Sequence, residues 1–197
     1  MAQQQEQVWA NPAPWIFYAV AVLTASLGAV LVGLVPASSV PLLIGVLLAC
    51  ALPQLLGAII CFRRGEILLA TIAGSFGTVI TLGAAFTMWI QIFKAPAPGA
   101  FTGEIMGFFW ITLFIITEVV AIGFGRISWF ILLFVAEVGV MFLFLGIFAL
   151  VGLPVLNVIA GWLSLIFAAF SLYTASAIML GEHFQRPVLP LGRPCFK

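Results

Sequence analysis

Residues 7–62, between Glu6 and Arg63, carry no formal charge, and neither do residues 138–181, between Glu137 and Glu182. A helix needs about 20 predominantly apolar residues to cross the roughly 30 Å hydrocarbon core of a bilayer, and these two stretches alone hold three or four such lengths. A folded core could not hide them. Charged residues make up 7% of the chain, against about 25% in an ordinary soluble domain. The chain is therefore expected to be an all-α, multi-pass protein of the cell membrane, with its function in or across the bilayer.

Proline, glycine and charge divide the sequence into six candidate transmembrane helices, near residues 15–35, 41–62, 67–93, 105–124, 127–151 and 154–180. The whole chain reads as one membrane domain. Residues 1–14 form a short N-terminal segment, residues 15–180 the six helices and residues 181–197 a tail. The connections are short, and only 94–104, with its Ala-Pro-Ala-Pro-Gly run, is a loop of note. Six crossings place both termini on one side. Arg63, Arg64, Arg126, Arg186, Arg193 and Lys197 fall on that side and only Lys94 on the other. The positive-inside rule makes that side cytoplasmic.

Two small-residue stripes read as packing seams. Gly161, Ser164, Ala168, Ser171 and Ala175 recur at spacings of three and four in the last span; Ala73, Gly77, Thr81 and Ala85 recur at spacing four in the third. Small side chains let helices approach closely in lipid, within a protomer or between protomers. Cys50 and Cys61 share one span and read as apolar packing residues, with no disulfide expected.

The few polar residues inside the spans are the candidates for function. Glu118 and Glu137 sit where lipid should be, and an intramembrane acid is costly enough to be a functional hypothesis by default. A carboxyl removed from water favours its neutral form, which would suit proton transfer. The structural alternative is that they reach interfacial water or Arg126, which follows Glu118 by only about 12 Å along a helix. Pro53-Gln54 interrupts the middle of the second span: proline breaks the hydrogen-bond ladder and the neighbouring amide adds donors and acceptors. Gln54 is either a substrate contact or a helix–helix hydrogen bond. Asn11-Pro12-Ala13-Pro14 opens the first span, where Asn is a favoured cap and the positive helix end attracts an anion.

Absences narrow the field. No span contains Lys for a retinal Schiff base, and His183, in the tail, is the single histidine. No cofactor and no metal site is expected. No phosphate-binding loop or nucleophile elbow is present, so an enzyme is not expected. A net charge of +1 gives no argument for nucleic acid.

Asn11-Pro12-Ala13-Pro14 and the tail pattern Phe184-x-Arg186-x-Val188-Leu189-Pro190-x-Gly192, with Ala160-Gly161-Trp162 and Tyr173 at matching spacing, resemble the acetate uptake transporter family, which includes the succinate–acetate permeases. Gln54, Gly65, Thr71 and Gly77 line up with that family's second and third helices. The resemblance implies a six-helix protomer assembled into homo-hexamers, passing acetate and related small monocarboxylates, with protons, through the centre of each protomer. Its matching positions imply a pathway lined by Asn11, Pro12, Ala13, Pro14, Gln54, Thr71, Phe76 and Tyr173. Glu118 and Glu137 stand as proton-coupling candidates. This chain departs from the family pattern in having Trp15-Ile16 after Asn-Pro-Ala-Pro, Gly28 and Val30 at polar positions of the first helix, Cys61 in place of a Glu, and Phe76-Gly77-Thr78-Val79-Ile80 where the family is more aromatic. These departures favour a second hypothesis, a passive channel for a small neutral solute such as ammonia or undissociated acid. A third, from another class, is an assembly subunit of a larger membrane complex.

Overall fold

The computed structural model describes residues 9–95 and 101–196. Among the described residues the regular structure is entirely helical, and six helices are long and apolar enough to cross a membrane. They are α1 (Ala13–Leu31), α2 (Val40–Arg64), α3 (Ile67–Phe93), α4 (Glu104–Phe124), α5 (Trp129–Val151) and α6 (Pro154–Phe184). A short 3₁₀ turn, Ala37–Ser39, leads into α2. Residues 96–100 of the loop after α3, and the extreme ends of the chain, lie outside the described residues.

The six expected spans are all present, with shifted edges. α1 starts two residues early because Asn11 Oδ1 accepts the Ala13 N–H at 3.0 Å, and Pro14 fits the first turn, where its missing N–H has no partner. α5 starts two residues late because Ser128 caps it, accepting from the N–H groups of Phe130 and Ile131. α6 continues four residues beyond expectation, to Phe184. Within α3, residues Phe76–Leu82 form a π-helical segment, a local widening that single helices tolerate and that recurs at functional sites.

Both described ends of the chain meet at one face, the terminal face. There Asn11 Nδ2 donates to Glu182 Oε1 at 2.5 Å, Arg64 donates to the Trp9 carbonyl and, at 2.6 Å, to Glu66, and the Cys195 N–H donates to the Gly125 carbonyl at 2.8 Å. Lys94 and Glu104 lie at the opposite, far face.

α1 and α6 run antiparallel in close contact. A Cβ on Gly161 would fall 2.7 Å from Leu31 Cβ, and one on Gly28 would fall 2.9 Å from the Gly161 carbonyl, so the crossing admits only hydrogen at both positions. Ser164 donates to the Thr24 carbonyl at 2.8 Å, and Tyr18 and Ser176 share a hydrogen bond of 3.0 Å along the same seam. The stripe in α6 is therefore an internal seam, and Ser164, Ser171 and Ala175 are wholly buried. The stripe in α3 is internal as well, since Ala73, Gly77, Thr81 and Ala85 are all buried. Large apolar side chains such as Leu42, Phe108, Val119 and Ile122 face outward, as they must where lipid is the solvent.

Candidate functional site

Three cavities lie in file through the protomer. The inner one opens at the terminal face with a volume of about 510 Å³ and includes Asn11, Ala13, Glu66, Leu68 and Ile127 in its wall. The middle one is a constriction of about 20 Å³, lined by Ile16, Gln54, Ile72, Ala73, Val135 and Phe167 among others. The outer one, about 240 Å³, is lined by Thr24, Leu43, Thr87, Gln91, Trp110 and Met141 among others. Adjacent cavities share walls: Phe17, Leu69 and Phe124 border both the inner cavity and the constriction, and Val20, Phe76 and Val138 border both the constriction and the outer cavity. The middle space is about the size of one water molecule.

The constriction is closed by aromatic packing. Phe134 stacks on Phe167 with ring centroids 4.6 Å apart and meets the edge of Phe17 at 5.6 Å. Phe76 meets the edge of Phe142 at 5.6 Å, and Phe142 stacks on Trp110 at 5.5 Å. Among the described residues no Lys, Arg or His borders any of the three cavities, and Glu66, at the inner mouth, is the one charged residue that does.

Gln54 is the one polar side chain of the constriction wall, and it is 0% exposed. Its Nε2 donates to the Cys50 carbonyl at 2.9 Å and to Thr81 Oγ1 at 3.3 Å, while its Oε1 is buried without a hydrogen-bond partner. Gly77 makes this approach possible: a Cβ there would fall 2.9 Å from Gln54 Cβ and 3.1 Å from the Leu55 nitrogen. Thr81 and Gly77 both belong to the π segment, so the widened turn of α3 is what meets the proline-bearing turn of α2.

The other expected pathway residues divide. Asn11 and Ala13 line the inner cavity and Phe76 borders the upper two, whereas Pro12, buried, and Pro14, partly buried, border none of the three. Thr71 is exposed on the outer surface of α3. Tyr173 borders none of the three cavities; its hydroxyl donates to the Pro190 carbonyl at 2.8 Å and ties the tail to α6. Glu118 and Glu137 also stand off the file. Glu118 packs against Gly139 between α4 and α5 with its buried Oε1 unpartnered, and both oxygens of Glu137 are buried without a partner. Sequence reasoning missed Thr81 as the partner of Gln54, although Thr81 already stood out in the small-residue stripe, and it missed the phenylalanines of α5 and α6, which look like any apolar residue of a span.

The start of α1 offers an anion little. Asn11 accepts the Ala13 N–H with its amide oxygen and gives one of its two amide hydrogens to Glu182, and Pro12 and Pro14 have no N–H to give.

Six apolar helices enclosing a file of cavities define a multi-pass integral membrane protein. The chain belongs to the GPR1/FUN34/yaaH family, whose model matches residues 1–192. The resemblance read from the two ends of the sequence is thereby established. Among solved structures the chain is similar to one described as the bacterial acetate channel SatP, with 22% identity, a TM-score of 0.85, and coverage of 94% of this chain and 100% of that one. This likeness establishes the six-helix fold. No curated protein matches the chain by sequence.

Proposed function

We propose that the protein provides a route across the membrane for acetate and related small monocarboxylic acids, one route per protomer, with a proton accompanying each acid. The observation that carries this reading is the file of three cavities with shared walls, wide at both faces and pinched to about 20 Å³ between them. Membership of the family and the name of the structurally similar acetate channel support the choice of substrate. The terminal face, with Arg63, Arg64, Arg126, Arg186 and Arg193, is the cytoplasmic one on this reading. The protomer works within a homo-hexamer, and the broad apolar exterior that includes Ile105, Phe108, Val119 and Ile122 is shared between lipid and neighbouring copies.

The test is uptake of radiolabelled acetate into vesicles containing the purified protein. The reading expects uptake well above protein-free vesicles; no excess for acetate or propionate under any imposed pH gradient would remove it. A passive channel for neutral solutes remains the second reading, favoured by the absence of any cation among the described residues of the cavity walls. Methylamine passing faster than acetate in the same vesicles would select it.

A further inference from the structure

The outer cavity differs from the rest of the file in shape and lining. From Val20 to Leu31, both in its wall, α1 climbs about 16 Å, and the space of about 240 Å³ stands on a constriction of about 20 Å³. Three of the chain's five methionines, Met88, Met106 and Met141, line it, and none borders the constriction or the inner cavity. Methionine is unbranched and polarizable, and it serves where an apolar surface must adapt to its ligand. The hydrogen-bonding groups are unevenly placed. Thr24 donates to the Val20 carbonyl at 2.8 Å, and Thr81 accepts from Gln54, so both are engaged within the protein. Thr87 and Gln91, one turn apart on α3, stand at the end nearest the far face, and Gln91 is exposed there. The cavity is thus an apolar well with a polar rim, and among the described residues no charged one borders it. Ligand pockets have this composition, mostly apolar with a few polar groups that fix orientation.

We propose that the outer cavity binds medium-chain monocarboxylic acids, the alkyl tail filling the well and the carboxyl group at Thr87 and Gln91, and that a bound acid blocks the route. The blocking rests on the function proposed above; the binding does not. A zigzag chain on the order of twelve carbons, with bonds of about 1.5 Å, spans the well. Each methylene that enters it leaves water for leucine and methionine side chains, so affinity rises with chain length up to that limit. Onward passage does not rise in step. A short acid needs the constriction open only over its own length, whereas a long chain would have to hold the aromatic packing apart throughout its transit. The long acid therefore stays in the well and leaves by the way it came.

The experiment has two arms at one fixed pH. In the first, radiolabelled acetate flux into vesicles, as the excess over protein-free vesicles, is measured against the straight-chain acids from butyric to tetradecanoic. The half-blocking concentration is expected to fall about fourfold per methylene, the equivalent of about 0.8 kcal/mol, and to level off where the chain outgrows the well. A bilayer takes up the same acids with a similar gain per methylene but without that limit. In the second arm, radiolabelled decanoic acid is bound to the protein in lipid nanodiscs, as the excess over protein-free nanodiscs. Saturable binding is expected, and Met88→Gln, which sets an amide against the tail, is expected to weaken it about tenfold. A half-blocking concentration that keeps falling through tetradecanoic acid, or decanoic acid binding that does not saturate, would overturn the proposal while leaving the acetate route standing. Saturable binding unchanged by Met88→Gln would overturn the placing of the tail in the outer cavity. Should that variant fail to fold, saturation and the limit in chain length, both read on the unaltered protein, decide the matter. Saturable, Met88-dependent binding without any excess acetate flux would instead remove the function proposed above and leave the binding site.

Discussion

Phe76 stands at the upper edge of the constriction, bordering both it and the outer cavity, with its ring against the edge of Phe142. On the function proposed above, its bulk sets how large an acid can pass. Phe76→Leu is expected to raise the ratio of butyrate to acetate flux severalfold, read by competitive uptake in vesicles, because it removes ring atoms from the narrowest part of the route. An unchanged ratio would place size selection elsewhere. Gly77, beside it, is a packing requirement. Gly77→Val forces a side chain against Gln54 Cβ and the Leu55 nitrogen; overpacking of this kind costs about 1–3 kcal/mol. For a chain of this size that corresponds to a fall of roughly 2–12 °C in the melting temperature in detergent. At this scale the sequence is informative where a residue is out of place. An amide beside a mid-span proline marks Gln54 at once. Its partner Thr81 is one of several threonines, and only the packing of α2 on the π turn of α3 singles it out. Phe17, Phe134 and Phe167 carry no signal of their own, because a membrane span is built of such residues whether or not they close a passage.

The helices themselves were legible because hydrocarbon imposes their length and composition, and the shifts at their ends have local causes. Ser128 delays α5 by capping it, and also donates to the Leu191 carbonyl, so one side chain joins the α4–α5 turn to the tail. Ser128→Ala is expected to cost about 1 kcal/mol, as loss of a helix cap does, measurable as a lower unfolding midpoint. The π segment of α3 leaves no trace in hydropathy, because it alters backbone hydrogen bonding without altering which residues are apolar. The tail was legible only as a motif. In the structure it is a strap beneath α4–α6: Tyr173 bonds Pro190, the Trp129 N–H bonds the Arg193 carbonyl, and the Cys195 N–H bonds the Gly125 carbonyl. Tyr173→Phe is expected to speed hydrogen exchange at the Trp129 and Cys195 amides while leaving acetate flux within about twofold, since Tyr173 borders no cavity and a single hydrogen bond of this kind contributes about 1 kcal/mol. Loss of flux with unchanged exchange would put this residue in the pathway after all.

At the scale of the molecule, the asymmetry of charge, the even number of spans and the file of cavities combine into one arrangement: an apolar exterior, a wider cavity toward each face and a narrow aromatic centre. Glu118 and Glu137 do not border that file, for all that their sequence positions draw attention to them. If the proton travels on the acid, neither carboxyl is needed to move it. Glu118→Gln and Glu137→Gln are each expected to retain acetate flux and its pH dependence within about twofold, and a loss of pH dependence in either would assign that residue to proton coupling. The central claim is that solute passes between the helices of each protomer, through the constriction. Leu69 borders both the inner cavity and the constriction, and Leu42 is 74% exposed on the outer surface. Acetate flux through vesicles carrying Leu69→Trp, compared with Leu42→Trp at equal protein content, tests that claim most directly. A tenfold or greater loss confined to Leu69→Trp is the expected result, and equal flux through both would contradict a route through the protomer.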